Sequence, residues 1–156
     1  MTPKREPLRN DLGRVVTADD LPQDPAWAAI ELSEHHDAIW QQARPHLNVR
    51  DNDVHTLYAY GLGRALLACT PDADPEVVLP AILLHDIGWS KVPADEILLG
   101  IAPGSSRPDL VLLHEKEGAK LAHQILTDVG HDPARIDEVI QIIDRRPCCI
   151  GVWTKE

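Results

Sequence analysis

Several residue types are scarce in this chain of 156 residues, and each scarcity restricts what the protein can be. Phenylalanine is absent, tyrosine occurs twice, and Met1 is the only methionine. The core must therefore be built from leucine, isoleucine, valine and alanine, with four tryptophans as large inserts. No run approaches the roughly 20 consecutive apolar residues of a membrane-spanning helix, so we expect no membrane partner.

Positive charge is also in short supply. The chain has 15 lysines and arginines against 25 acidic residues, which gives a formal net charge of -10. A field of that sign repels polyanions at long range, which argues against a nucleic acid polymer as partner. A small anionic substrate remains compatible, because a metal ion and a few bases can reverse the potential locally.

Cysteine occurs only three times. Cys69 follows an apolar helical pattern and is predicted to be a small buried hydrophobe. Cys148 and Cys149 are adjacent near the end of the chain, without the partners that a structural zinc site requires. The first residues contain bases but no apolar run after them, so no secretory signal is predicted and a cytoplasmic location is expected.

What the chain does contain is helical patterning. Residues 1–23 lack periodicity and are predicted to form a flexible arm, residues 24–147 a helical domain, and residues 148–156 an irregular tail. No stretch alternates polar and apolar residues for long enough to indicate a strand. The sequence therefore predicts an all-α fold, a compact bundle of five to six helices.

Proline, aspartate and glycine mark the expected helix ends. A first helix should begin at Asp24-Pro25 and include AWAAIELSEHHDAIWQQA. The third should begin near residue 74 and end at Gly88 in a left-handed conformation, with Pro80 kinking it or marking where regular helix begins. Three more are expected at about residues 93–99, 108–129 and 132–146. In the second helix, an apolar stripe is predicted to face the core: Val54, Tyr58, Leu62, Ala65 and Leu66.

The segment PAILLHDIGW is an apolar run that stops abruptly at His85 and Asp86. Placing two ionisable groups at the mouth of a core costs desolvation energy. An imidazole and a carboxylate are also a suitable ligand pair for a divalent transition metal. The alternative interpretation is local: Asp86 caps or pairs with a neighbour, while His85 is solvated at a helix end.

Two further histidines have positions compatible with a site at this doublet. His55 borders the apolar stripe of the second helix, where a hydrogen-bonded core histidine is the simpler interpretation. His114 shares a helix face with Gly118, which leaves room for a close approach. The simpler interpretation of His114 is a hydrogen bond to Glu117 or to a backbone carbonyl. Two imidazoles and a carboxylate would fill half of an octahedral shell and leave positions for water and substrate.

The remaining ionisable residues give weaker signals. Asp144 ends the segment IDEVIQIID, and it either faces inward as a ligand or belongs to the polar edge of its helix. His123 is predicted to lie at the surface. No chemistry is assigned to four histidines in polar or cap-like contexts: His35, His36, His46 and His131.

Four ordered segments, NDVHTLYAYGLGRALL, VVLPAILLHDIGWSKVP, LLHEKEGAKLAHQIL and VIQIID, resemble the HD superfamily of metal-dependent phosphohydrolases. The resemblance covers roughly residues 40–145. It implies an all-α domain in which His55, His85 and Asp86 bind the first metal. In members with two metals the aspartate bridges them and a histidine placed like His114 serves the second metal, so His114 is implied as a further ligand.

The end of the chain departs from the family pattern. Related sequences tend to continue the IID segment with a glycine and another His-Asp pair, whereas here Arg145, Arg146, Pro147 and two cysteines follow. The superfamily also takes a last aspartate ligand from a later helix, and the only acid after Asp144 is Glu156. Asp144 is the residue available for that role. Otherwise the site is incomplete, or water, a partner subunit or a longer form of the chain completes it.

Together these residues predict hydrolysis of a small phosphoester or nucleotide by metal-activated water. The implied cofactor is a divalent ion: Mn, Fe, Co, Ni, Zn or Mg. Asp86, His114 and Lys91 are the predicted catalytic residues, with Lys91 neutralising developing charge and Arg50 as a weaker phosphate contact. The alternative is a catalytically impaired HD domain that binds a metal or a nucleotide; a di-iron oxygenase and a metal-free bundle rank behind it. Exposed apolar faces on so short a domain favour a homodimer.

Overall fold

The computed structural model describes residues 30–49, 51–102 and 107–144. Six α-helices lie within these ranges: α1 (Glu34–Ala43), α2 (Asn52–Leu67), α3 (Pro75–Leu84), α4 (Ile97–Ile101), α5 (Pro108–Asp128) and α6 (Pro133–Asp144). Short 3₁₀ turns occupy Arg44–His46 and Ile87–Lys91, and no strand occurs in the described ranges. The predicted all-α fold is confirmed. None of the described helices combines the length and the apolar character that crossing a bilayer requires.

Helix α3 lies at the centre of the bundle and is apolar along most of its length. The helices α1, α2 and α6 all pack against it. Asp74 caps its N-terminus, where the Asp74 carboxylate accepts a hydrogen bond from the Glu76 N–H at 2.9 Å. The helix continues through Pro80, which therefore does not mark its start. Its buried side chains are Val77, Leu79, Pro80, Ala81, Leu83 and Leu84.

The end of α3 differs from the prediction. The helix stops at Leu84, and Gly88 lies in the following 3₁₀ turn without the expected left-handed conformation; Gly130 is the glycine with a positive φ in the described ranges. A Cβ at Gly88 would overlap the carbonyl oxygen of His114 and lie 2.7 Å from the Gly118 backbone nitrogen. Gly88 is therefore required because the turn touches the backbone of α5. The room expected at Gly118 is confirmed, and the Gly88 backbone occupies it.

The prediction for the buried face of α2 is wrong. Its buried residues are Thr56, Tyr60 and Gly63. A Cβ at Gly63 would overlap the end of the Ile82 side chain, so α2 packs closely on α3 at this position. The face that packs on the bundle is the one that carries Thr56, Tyr60 and Gly63, and the apolar stripe faces outward. Its exposed residues are Val54, Tyr58, Leu62, Ala65 and Leu66.

Helix α1 is shorter than predicted. Residues 30–33 are not helical, and the helix begins at Glu34 with Ser33 as its N-cap. The Ser33 hydroxyl accepts a hydrogen bond from the His36 N–H at 3.2 Å. The serine N-cap and the acidic first turn account for the start at Glu34, and Asp24-Pro25 lies outside the described residues.

Cys69 is exposed in the turn after α2, so the prediction of a buried cysteine is wrong. The helix ends at Leu67, two residues before Cys69. Cys148 and Cys149 lie outside the described residues, as do the predicted arm and the predicted tail. The limits 24–147 of the helical domain stay a prediction.

Candidate metal centre

The doublet lies where α3 gives way to the 3₁₀ turn. His85 is the C-terminal cap of α3, and its Nδ1 lies 2.6 Å from the Ile82 carbonyl oxygen. A carbonyl can only accept, so Nδ1 carries the proton and Nε2 carries the lone pair in neutral His85. Backbone carbonyls orient metal-binding histidines in this way. The Nε2 of His85 lies 3.2 Å from Oδ2 of Asp86.

His55 approaches the same carboxylate oxygen from α2. Its Nε2 lies 3.7 Å from Oδ2 of Asp86, and the His55 and His85 ring centroids are 5.4 Å apart. One donor atom from each of His55, His85 and Asp86 lies within 4.8 Å of the others. The side chain of His55 is 57 % exposed and that of Asp86 is 14 % exposed, so solvent reaches the group from the α2 side.

His114 approaches the other oxygen of the same carboxylate. It is buried on α5, and its ring stacks on Trp89 with centroids 4.1 Å apart and planes 9° from parallel. Its Nε2 lies 4.0 Å from Oδ1 of Asp86. His114 stands outside the compact group of His55, His85 and Asp86. Asp86 thus has histidines at both oxygens, which is the layout of a carboxylate that can bridge two ions.

The surroundings keep Asp86 ionised. Burial by itself would raise the pKa of this carboxyl, but the hydrogen bond that Nε2 of His85 donates when its ring is protonated, and the charges of protonated His85, His114 and His55, outweigh burial and lower the pKa below its usual value. Carboxylate and neutral imidazole are the forms that bind divalent ions. Two imidazole nitrogens and an ionised carboxylate therefore fit a divalent transition metal in their chemistry.

Asp144 and Lys91 have different surroundings. Asp144 is the last residue of α6, and its Oδ1 lies 2.7 Å from the Lys116 ammonium, an ion pair between α6 and α5. That pairing fits the interpretation of Asp144 as part of a polar helix edge. Lys91 is exposed at the end of the 3₁₀ turn, and together with burial it lowers the pKa of His46. The roles predicted for Asp144 as a ligand and Lys91 in catalysis stay predictions.

An apolar cleft of about 450 Å³ begins at His85. It lies between α2, α3 and α6, so one wall of the candidate metal centre continues into a hydrophobic surface. Its lining residues are Ala59, Val78, Ala81, Ile82, His85, Ile142 and Ile143.

A second cluster of donor atoms was missed by the sequence prediction. It consists of His35, Glu76 and His131, with one donor atom from each within 4.8 Å of the others. These residues come from α1, α3 and the connection between α5 and α6. No local spacing joins them, so only the tertiary fold brings them together. The prediction that His123 lies at the surface is confirmed.

The fold and the site define a class of protein: an all-α domain in which a histidine–aspartate doublet at the end of a central helix meets histidines from two other helices. A family model described as "HD domain" matches residues 52–147, more than half of the chain. The chain therefore belongs to the HD domain family, as its sequence resemblance indicated. No curated protein and no solved structure matches it.

Proposed function

We propose that this protein is a metal-dependent phosphohydrolase that acts on a small phosphoester or nucleotide. The observation that carries the proposal is the position of Asp86, whose carboxylate lies within 3.7 Å of two histidines on one oxygen and 4.0 Å from a third on the other. Membership of the HD domain family supports the proposal, as does the partly open group of His55, His85 and Asp86, which could hold a metal ion.

In this proposal His55, His85 and Asp86 hold a divalent ion, which is Mn, Fe, Co, Ni, Zn or Mg. A bound ion of this kind lowers the pKa of a water ligand and polarises a phosphoryl oxygen. The Ile82 carbonyl fixes the orientation of His85, and burial of Asp86 keeps bulk water from competing for its carboxylate. On the buried side of Asp86, His114 would bind a second ion or a phosphate oxygen, and Lys91 would neutralise developing charge.

The cleft beside His85 suggests what else the substrate carries. Apart from His85, the cleft is lined by alanine, valine and isoleucine side chains, with no charged residue among them. A substrate whose phosphate lies at Asp86 would direct its remaining part toward these walls. We therefore propose a phosphoester with a compact apolar or weakly polar organic group, in preference to a highly charged one.

The test compares Asp86→Asn with the matched control Asp95→Asn, which removes an exposed carboxylate elsewhere. Asp86→Asn preserves side-chain volume but loses a ligand charge, so the protein should lose one equivalent of bound metal. Its kcat/KM on a phosphoester panel should fall at least about 100-fold, because even loss of a residue that only orients a ligand costs 10- to 100-fold. The control should retain both. Unchanged turnover in Asp86→Asn would refute the proposal.

A second candidate function rests on the surroundings of Asp144. The Asp144 carboxylate is paired with Lys116. A metal site that requires Asp144 as a ligand would therefore lack one ligand. The protein would then be an HD domain that binds a metal or a nucleotide without hydrolysing it. Stoichiometric metal with no turnover across mono-, di- and nucleotide phosphoesters would favour this function, and metal-dependent turnover would exclude it.

We also propose a cytoplasmic location and a homodimer. Support for the dimer comes from α2, where the side chains of Val54, Tyr58, Leu62 and Leu66 are each at least half exposed and share one helix face. A second copy presenting the same stripe would cover it by helix–helix packing.

A further inference from the structure

The second donor cluster lies at the opposite end of α3 from Asp86. Glu76 occupies the first turn of α3, whereas His85 follows its last residue. A helix rises 1.5 Å per residue, so the two positions are separated by about 14 Å. The cluster is therefore independent of the candidate active site, and nothing in the proposed hydrolysis uses it.

Two imidazole nitrogens already lie at a distance close to that found between ligands of one ion. The Nε2 of His35 lies 2.8 Å from Nδ1 of His131, although the two residues are 96 positions apart in sequence. Two nitrogens bound tetrahedrally at about 2.0–2.1 Å from zinc would be about 3.3 Å apart. A bound ion would replace the hydrogen bond that Nε2 of His35 donates to His131, with the His35 proton moved to Nδ1 and a small movement of the half-buried His35 side chain supplying the difference in distance.

The second nitrogen of His131 determines which nitrogen is free to bind. Nε2 of His131 lies 3.0 Å from the Glu76 carbonyl oxygen, which can only accept a hydrogen bond. The proton of neutral His131 is therefore on Nε2, and the lone pair on Nδ1 points toward His35. This is the arrangement by which backbone carbonyls orient histidine ligands.

A buried histidine faces the carboxylate of the cluster. His36 is 3 % exposed, and its Nδ1 lies 2.7 Å from the Tyr60 hydroxyl. Its Nε2 has no hydrogen-bond partner among the described residues and lies 3.4 Å from Oε2 of Glu76. His36 thus contacts the Glu76 carboxylate from α1 and helps to orient it beside His35 and His131, as neighbouring groups orient carboxylate ligands of metals.

We propose that His35, Glu76 and His131 form a second metal site, for a borderline divalent ion such as Zn²⁺. Two imidazoles and a carboxylate are a common zinc ligand set. The ligands come from α1, α3 and the α5–α6 connection, three segments that meet only in the folded chain. Metal bound here cross-links them, so its role is to stabilise the fold and to hold α1 on the bundle.

The experiment uses the full chain with the candidate active site disabled by His55→Gln and Asp86→Asn. Titration with Zn²⁺, followed by calorimetry, should show one equivalent bound by this background and a rise in Tm. Adding His35→Gln or Glu76→Gln should weaken the binding at least about 10-fold and abolish the rise in Tm, because a ligand is lost. The matched control His123→Gln removes an exposed histidine outside both clusters and should change neither.

The wild-type chain provides an independent comparison that does not need the disabled background. It should bind one equivalent of Zn²⁺ more than the His35→Gln variant, with the same far-UV circular dichroism. Substituting Co²⁺ should give the intense visible absorption of four-coordinate cobalt in the background and lose it in His35→Gln. A background that binds no Zn²⁺, or binding that His35→Gln and Glu76→Gln leave unchanged, overturns the proposal and identifies the cluster as a metal-free hydrogen-bond network.

Discussion

A single carboxylate, that of Asp86, lies among histidines from three separate parts of the chain: His55 on α2, His85 after α3 and His114 on α5. Sequence predicted this assembly because each residue sits in a segment with a recognisable family pattern. The surroundings of Asp144 could not be predicted in the same way. Its partner Lys116 lies on another helix, and only the packing of α6 on α5 brings the two together.

The second cluster, formed by His35, Glu76 and His131, could not be predicted from the sequence around each residue. The sequence predicts no chemistry for His35 and His131, because each lies in a polar or cap-like local context. Their contact spans 96 positions and depends on how α1 and the α5–α6 connection meet. No local sequence pattern encodes such a contact.

Gly88 allows a prediction at the level of one residue. A Cβ at this position would overlap the carbonyl oxygen of His114, and backbone cannot move aside as a side chain can. We expect Gly88→Ala to lower the free energy of unfolding by about 3 kcal/mol or more, the upper part of the range for overpacked sites. Urea denaturation measures the change.

Gly100→Ala is the matched control for Gly88→Ala. A Cβ at Gly100 would meet the Leu110 side chain at 3.4 Å, close to ordinary contact. This variant should lose less than about 1 kcal/mol. Equal losses in the two variants would contradict the close contact between the turn and α5. The same contact supports the carbonyl of His114, so Gly88→Ala should also reduce metal binding.

At the level of elements, the positions of most helices followed from their caps, whereas the orientation of α2 did not. The apolar stripe on α2 is regular enough to predict a buried face, yet the helix packs on α3 through Gly63. A glycine on the less apolar face was the available signal, because it permits a closer approach than any apolar side chain would. Hydrophobic periodicity alone does not carry that information.

The start of α5 gives a pH-dependent prediction. The Arg107 guanidinium donates a hydrogen bond from Nη2 to the carboxylate of Asp109 at 2.8 Å. Its Nη1 forms an ion pair with Glu96 at 2.9 Å. The hydrogen bond from Arg107 holds the pKa of Asp109 below its ordinary 3.8. Folding thus favours the ionised carboxylate of Asp109. The interaction of Asp109 with Arg107 contributes fully to stability above about pH 4, and this contribution is lost as pH falls through the lowered folded-state pKa of Asp109.

The variant Asp109→Asn measures this contribution. It should be less stable than the wild type at pH 7, and the difference should shrink as pH falls below about 4 and as salt screens the exposed pair. Thermal unfolding at a series of pH values checks both trends. Asp95→Asn, at another exposed acid, is the control. A wild-type advantage that persists unchanged into strong acid would contradict the assignment to Asp109.

For the whole molecule, the predicted features that held are those set by composition and by ordered motifs: an all-helical bundle and membership of the HD domain family. Association with a second copy depends on the shape of the exposed surface, and a helical sequence pattern does not specify that shape. A substitution in the apolar stripe on α2 tests directly whether two copies associate.

We expect Leu62→Glu to convert the proposed homodimer into a monomer in solution. Leu62 is 50 % exposed, so a charge there costs little in the isolated chain but cannot be buried against a second apolar stripe. Light scattering after size exclusion reports the mass. The control Leu112→Glu places the same charge at an exposed leucine of α5 and should leave the dimer intact. A wild-type protein that is monomeric at high concentration would remove this part of the proposal.

The central claim is that His55, His85 and Asp86 hold a divalent metal, and anomalous diffraction from crystals of the metal-loaded protein tests it most directly. We expect an anomalous peak about 2.0–2.2 Å from Nε2 of both histidines and from a carboxylate oxygen of Asp86, for an ion such as zinc. A loaded protein whose anomalous peaks all lie away from these three side chains would contradict it.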